Sequence, residues 1–539
     1  MRERLILHVL WIATAVALLV PSAADPDLWG HLLFGSLLLG GTFAVENGFA
    51  YTTPTHPWLN HELLAEGAMA WLYRLAGPAG LVALKVALGL ATLALLRRSA
   101  LRRSGDQIAS ALAVIGALVV MMPGLMIRPQ LFTLLFLAAT LEILARSDHR
   151  PQGWALGLPL LMALWINVHG GVLAGVGLAA IALVGNAVAR ATRNDLSRHQ
   201  AIATTGLVFA IATALLVNPY GFQLLRFLAL DVTPQVPISE WAPVSPFDAS
   251  FPLFKLMLLL VAAGALVARP GLAELLVVAV TAGVALRHQR HIPLFAIAAT
   301  PLVAATLAEA FRRWPREATY RSIADLARGG LLGATALQLM FAVLAVATHR
   351  GAIDVSPSYY PVQALRFLSQ NEVVGNVALP FRWGEYALWA LPPGTRVAVD
   401  GRFTTAYPQS LLAEAWTFMA GTPGWDTLLD DYPTDVVVAD RAQAPAVLLR
   451  GAPDWEYVYS DPVSLVFIRK TERHAALLER FRKGELFYDR SAVSTRFPAG
   501  GDAQPVIAAE LQFAAARADS FPGKAPASAS AKVLAAWRP

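Results

Sequence analysis

Long apolar runs recur along the first 350 positions of the chain. Those near the ~20 residues that a bilayer crossing needs lie at about 5–21, 79–96, 107–123, 130–145, 153–168, 171–189, 201–217, 251–268, 271–286, 292–311 and 330–348. The pattern predicts eleven spans, of which 153–168 and 271–286 are short enough to be tilted or to end in a cavity. The first run has Arg2 and Arg4 ahead of it and Ser22-Ala23-Ala24 behind, which also reads as a cleavable signal peptide. An uncleaved anchor is preferred. In either case the chain after Asp25 begins outside.

Beyond about 350 the runs shorten and are bounded by turn residues. Strands are expected at Val373–Leu379, Arg396–Val399, Asp435–Ala439 and Ser464–Ile468, with helices near 361–370, 408–419 and 442–450 between them. The domain plan is therefore a transmembrane part, 1–349, with an outer loop at 22–78 carrying amphipathic helices. A small extracytoplasmic α/β domain follows at 350–490, then a tail at 491–539 rich in Ala, Pro, Ser and Gly that reads as largely disordered. No internal repeat is evident.

Composition sharpens this picture. The chain is 539 residues long, 56% hydrophobic and only 15% charged, against about 25% charged in soluble proteins. A soluble multidomain enzyme, a disordered chain and a disulfide scaffold are disfavoured, and an α-helical polytopic membrane protein is the default. The absence of cysteine removes disulfides and thiolate metal sites.

The net charge of +6 does not require nucleic acid as a partner, because most arginines sit in short loops between apolar runs. With the N-terminus inside, the inner segments before 349 carry seventeen arginines and the outer ones only Arg74, Arg128, Arg226, Arg287 and Arg290. The positive-inside rule thus sets the orientation and singles out those five.

The outer segments carry most of the candidate chemistry. They hold Asp25-Pro26-Asp27-Leu28-Trp29-Gly30-His31 and His56-Pro57-Trp58-Leu59-Asn60-His61-Glu62 in the first loop, then Arg128-Pro129-Gln130. Asn167-Val168-His169-Gly170-Gly171, Asn218-Pro219-Tyr220-Gly221, Glu240-Trp241 and Arg287-His288-Gln289-Arg290-His291 follow. Six of the eleven histidines fall on this face. Polar and ionisable groups repeated at span ends on one side describe a lined cavity.

Each group has a structural reading beside the chemical one. Asp25 and Asp27 could hold a divalent cation, Mg or Mn, or one could serve as general base; Asp27 could equally cap the helix that follows. His61 and Glu62 could add ligands or a base, while Asn60 could be a plain cap. No second histidine stands four residues after His61, so this is not a zincin signature. Arg128, Arg287 and Arg290 have the guanidinium fork that binds phosphate bidentately, or they snorkel to headgroups. Asn167, His169 and Tyr220 lie in tight turns where they could merely bridge helices. Trp29, Trp58 and Trp241 read either as interface-belt residues or as platforms for sugar rings.

Paired acids after span one, two amphipathic helices in the first outer loop, about eleven spans and an outer C-terminal domain resemble the GT-C superfamily of membrane glycosyltransferases. More closely, D-P-D-L-W-x-H, W-x-N-H-E, R-P-Q, N-x-H-G-G, N-P-Y-G and the later D-G-R of residues 400–402 are similar to a group of bacterial multi-pass proteins, over about 25–470. The resemblance implies inverting transfer of a sugar from a polyprenyl-phosphate donor to an acceptor at the outer face of the bacterial inner membrane. It implies Asp25 or Asp27 as base or metal ligand, and Arg287, Arg290 and Arg128 on the donor phosphate. His31, His61, Glu62, Asn167, His169, Tyr220, Glu240, Trp241, His288 and His291 would support the substrates. The W-W-D-Y-G motif of oligosaccharyltransferases is missing, with Trp383-Gly384-Glu385-Tyr386 only a loose echo, which argues against protein N-glycosylation. Two other classes stay open: a transporter or flippase of a lipid-linked or anionic solute, and a non-catalytic envelope scaffold. Membrane lipid is a partner in every case, and the sequence leaves the oligomeric state open.

Overall fold

A computed structural model of the chain describes residues 2–147, 156–231, 237–245, 247–313, 320–489 and 494–498. Arg150, Arg316 and most of the expected disordered tail lie outside these residues, as do the side chains of Arg321 and Arg328. The chain divides into two compact units. One comprises Met1–Ser22, Ala79–Gly221 and Pro237–Gly351; the other comprises Ala23–Pro78, Phe222–Val236 and Ala352–Pro539.

The first unit is a bundle of apolar helices. Its centre is Ile292–Arg313, buried along most of its length and packed against Gln107–Met121, Pro252–Val267 and Leu272–Arg287. Small residues allow close approach, as where Gly264 faces Thr306 and Leu302. Thr281, Thr300 and Thr306 bond carbonyls one turn back at 2.8, 2.6 and 2.8 Å, so their hydroxyls need no water. Arg98 and Arg146 reach Glu142 at 3.2 and 2.8 Å, Arg102 joins them there, and Arg103 pairs with Glu274. In the C-terminal helix Gly329–His349, by contrast, Leu339, Met340, Phe341, Val343, Leu344 and Val346 are exposed. That much apolar surface is stable against lipid and not against water.

Five helices among the described residues are long and apolar enough to cross a membrane: Leu63–Ser104, Gln107–Gly124, Val172–Ala191, Gln289–Arg313 and Gly329–His349. The protein is therefore helical and membrane-associated, but the eleven expected spans are not all met. Pro252–Val267 and Leu272–Arg287 are helical for only 16 residues each, and Gly157–Trp165 for nine. At about 1.5 Å per residue these fall short of a ~30 Å hydrocarbon core. Proline or glycine at their starts and the turn at 166–171 cut the runs. Conversely, the amphipathic segment from Leu63 and the run at 79–96 are both helical within Leu63–Ser104, two helices separated by a non-helical break at Gly77 (φ 59°, ψ −148°) before Pro78.

The second unit contains a five-stranded sheet: β1 Asn376–Ala378, β2 Arg396–Val397, β3 Val436–Asp440, β4 Trp455–Ser460 and β5 Ser464–Arg469, in the order β2-β1-β3-β5-β4. β1 pairs in parallel with β2 and β3, while β5 runs antiparallel to β3 and β4. Four strands match expectation. β4 was not anticipated, nor was the helix Phe381–Ala390. Of the expected disordered tail, residues 494–498 are packed: Phe497 is buried, 5.2 Å in ring-centroid distance from Trp29 and 5.9 Å from Tyr73.

A buried ion pair organises this unit. Arg402 grips Asp400 with Nε to Oδ1 at 2.9 Å and Nη2 to Oδ2 at 2.6 Å. The same guanidinium donates to Asn47 Oδ1 at 2.7 Å, and Tyr407 donates to Asp400 Oδ2 at 2.8 Å. Its carbon lies 4.9, 5.3 and 4.7 Å from the ring centroids of Phe34, Phe49 and Trp58. The cation thus ties the segment 34–58 to the turn after β2. Trp58 is neither an interface anchor nor a sugar platform; it is a wall of this cage. Removing one member leaves the other charge buried and unpaired, so Arg402→Ala should cost roughly 3–5 kcal/mol of unfolding free energy. Denaturant unfolding in detergent, followed by tryptophan fluorescence, checks this; a loss below about 1 kcal/mol, as for an exposed pair, would contradict it.

Candidate functional site

The helix Leu28–Leu39 begins at a turn made by the two aspartates. Asp25 Oδ1 accepts from the Asp27 backbone N–H at 3.1 Å, and Asp25 carbonyl accepts from Leu28 N–H at 3.1 Å. Asp25 is buried and thus builds the turn itself. Asp27 holds the cap position, yet its side chain makes no capping bond. Its carboxylate instead lies against Gly401: a Cβ placed there would collide with Asp27 Oδ1 and sit 3.2 Å from Glu385 Oε1.

Glu385 comes from Phe381–Ala390, which packs against Leu28–Leu39. The approach depends on glycine, because a Cβ on Gly30 would strike the Glu385 carboxyl and one on Gly384 would strike Asp400. Trp29 locks the crossing. Its indole donates to Pro498 carbonyl at 3.0 Å, and its ring meets Tyr386 at 4.5 Å and Tyr360 at 4.9 Å. Glu385 is buried, and its Oε2 has no hydrogen-bond partner among the described residues. Burial, then the charges of Asp27 and Asp400, push its pKa well above the carboxylate range despite Arg402 nearby. Glu385 is therefore a weakened acid beside a half-buried aspartate.

A second cluster lies in the same unit. His31 Nδ1 is 3.2 Å from Glu66 Oε1 and 3.8 Å from Glu62 Oε2; Asn60 donates to Glu66 Oε2 at 2.6 Å. His61 Nε2 is 3.8 Å from Glu62 Oε1. Burial alone would lower the His31 pKa, but its bond to Glu66 and the charges of Glu62, Glu66 and Asp27 outweigh it and raise it to about 9. One oxygen or nitrogen from each of His31, Glu62 and Glu66 lies within 4.8 Å of the others, the tightest metal-type grouping among the described residues. Asp25 and Asp27, the expected metal pair, are not part of it. As arranged, His31 and Asn60 occupy both Glu66 oxygens, so the donors serve one another.

In the first unit, other expected residues gather in a separate group. Arg128 pairs with Glu240 at 2.7 Å. His288 Nδ1 contacts Trp241 carbonyl at 2.7 Å, Arg290 covers the Trp241 ring at 4.5 Å, and His291 lies 5.7 Å from His288 by ring centroid. Arg287 is exposed at the end of its helix. Asn167, His169 and Tyr220 have structural partners. Asn167 donates to Ala163 and Val217 carbonyls at 2.8 and 2.6 Å, His169 Nδ1 meets Thr133 Oγ1 and Gly171 N–H at 2.9 Å each, and Tyr220 N–H caps onto Asn218.

Sequence reasoning overlooked Glu385 and Glu66. Both are lone acids in apolar helices, and Glu66 stands one turn after Glu62, on the same helix face. Comparison with known proteins adds no assignment, since no family model and no curated protein matches the chain.

The raised His31 pKa has a definite sign. Its contribution to stability is present in full below the ordinary histidine value of 6.5 and is lost as pH rises through about 9. The melting temperature of the parent should therefore fall across that interval relative to His31→Gln. Parallel pH-dependent curves for the two proteins would contradict the His31–Glu66 ion pair.

Proposed function

We propose that the protein is a GT-C-type glycosyltransferase moving a sugar from a polyprenyl-phosphate donor to an acceptor hydroxyl at the outer face of a bacterial inner membrane. The observation that carries this reading is the acid pair Asp27 and Glu385 closed around Gly401. Two carboxyls in unlike environments, one buried with its ionised form disfavoured and one partly exposed, suit general acid–base work. Apolar helices able to reach lipid suit a lipid-linked donor.

Asp27 takes the proton from the acceptor hydroxyl as its oxygen bonds to the sugar C1. The bond from C1 to the phosphate oxygen breaks on the opposite face, with inversion, through an oxocarbenium-like state. Burial and the neighbouring Asp27 and Asp400 charges disfavour the ionised form of Glu385, which limits the negative charge gathered beside Asp27. The arginines expected on the donor phosphate lie in the first unit, where Arg290 covers the Trp241 ring and Arg128 is paired with Glu240. Were a divalent cation bound, Glu62, Glu66 and His31 are the group to hold it, and it would supply Lewis-acid stabilisation of the phosphate.

Purified protein in nanodiscs, given a panel of polyprenyl-phosphate sugars and followed by donor consumption, tests the reading. Asp27→Asn should lower turnover at least about 10²-fold, the usual worth of a positioned base, and Glu385→Gln, which mimics the neutral acid, much less. Equal turnover in the parent and Asp27→Asn would remove that acid from the reaction.

A further inference from the structure

The α/β part of the second unit carries a cleft of about 520 Å³ that the transferase reading does not use. Its floor is the edge strand β4, from which Tyr457, Tyr459 and Ser460 line the cleft; Gln363, Tyr488 and Asp489 close it from the sides. Behind the opening, the rings form a stacked array. Phe367 and Tyr459 lie 4.6 Å apart at 18°, Phe367 and Tyr488 5.2 Å apart at 30°, and Tyr459 and Tyr488 6.2 Å apart at 14°. Tyr488 is pinned by its hydroxyl to Val458 carbonyl at 3.1 Å. The register of β4 against β5 slips between Tyr457 and Tyr459, an irregularity of the kind that re-aims side chains on a strand. Tyr457 and Tyr488 nonetheless remain 38% and 41% exposed, a large aromatic area to leave wet.

We infer that this cleft binds a neutral saccharide. Near-parallel rings held by their neighbours give a preorganised flat wall for the C–H face of a pyranose. The amide of Gln363, the hydroxyl of Ser460 and the tyrosine hydroxyls provide both donors and acceptors for sugar hydroxyls. Asp489 is paired with Arg366, while Arg450 lies over the Tyr457 ring at 4.9 Å and Arg441 donates to Ser460 Oγ at 3.2 Å, so the cations beside the cleft are engaged with its own lining. The mixed polar lining is wrong for an acyl chain. The volume falls in the range of small-ligand sites, about 300–1,000 Å³, which accommodates one or two sugar rings. The inference stands on the outer domain alone and holds whether or not the acids at Gly401 are catalytic.

Full-length protein in nanodiscs, titrated with maltotriose, cellotriose, chitotriose and tri-galacturonic acid and read by saturation-transfer NMR, tests it. At least one neutral trisaccharide should receive saturation at millimolar concentration. Tyr457→Ala and Gln363→Ala, both at exposed positions, should weaken its binding about tenfold with the melting temperature unchanged. Tyr457→Phe, which keeps the ring, should retain most of it, and so should Asp27→Asn. Failure of all three neutral sugars to bind would overturn the inference. So would binding of the acidic sugar alone, or affinity undiminished in both alanine variants.

Discussion

The buried pair of Asp400 and Arg402 is the constraint on which the second unit depends. Taking both charges out of water costs several kcal/mol per ion. That cost is offset here by a two-pronged contact, by hydrogen bonds from Arg402 to Asn47 and from Tyr407 to Asp400, and by three aromatic faces around the cation. Between the two ions stands Gly401. Both its neighbours are held in the pair, and the carboxyls of Asp27 and Glu385 both approach the point where a Cβ on Gly401 would sit. The polar centre is thus positioned by a structural ion pair, not by the acids themselves.

This arrangement explains why short motifs far apart in the chain belong together. Asp27 and Gly30 come from the first loop, Glu385 from a helix between β1 and β2, and Gly401 from the turn after β2. Gly30, Gly384 and Gly401 are the points where a single methyl group would force carboxyl or backbone atoms apart. Charge does the remaining work. Asp27, Glu66 and Asp400 all act on Glu385, with Arg402 opposing them, and the bond to Glu66 and the charges of Glu62, Glu66 and Asp27 act on His31. Burial first, and then these neighbouring acids, disfavour the ionised form of Glu385.

Much of the fold was legible because membrane helices and buried strands announce themselves by uninterrupted apolar runs. Val436–Asp440 is buried at every position and was readable as a strand. β4, reading Trp-Glu-Tyr-Val-Tyr-Ser, has one wet face and an irregular register, so neither continuity nor clean alternation marks it. The span count was over-read, since apolar composition does not show where proline, glycine or a turn stops a helix short. At the site, Asp27 and His31 were legible from their place in a polar loop. Glu66 and Glu385 were not, because each is the single acid of a largely apolar helix whose meaning comes partly from residues far along the chain, His31 for Glu66 and Asp27 for Glu385. Trp29 and Trp58 misled in the other direction, their rings being spent on the core.

The most direct test of the central claim is donor discharge by Gly401→Ala. The added methyl meets Asp27 Oδ1, the far end of a side chain able to swing aside, so the fold should persist while the acid leaves its place. Measured with a labelled polyprenyl-phosphate sugar accepted by the parent, the variant should keep the parental melting temperature and lose nearly all turnover. Full turnover, with the methyl group seated between Asp27 and Glu385, would contradict the assignment of the reaction to this centre.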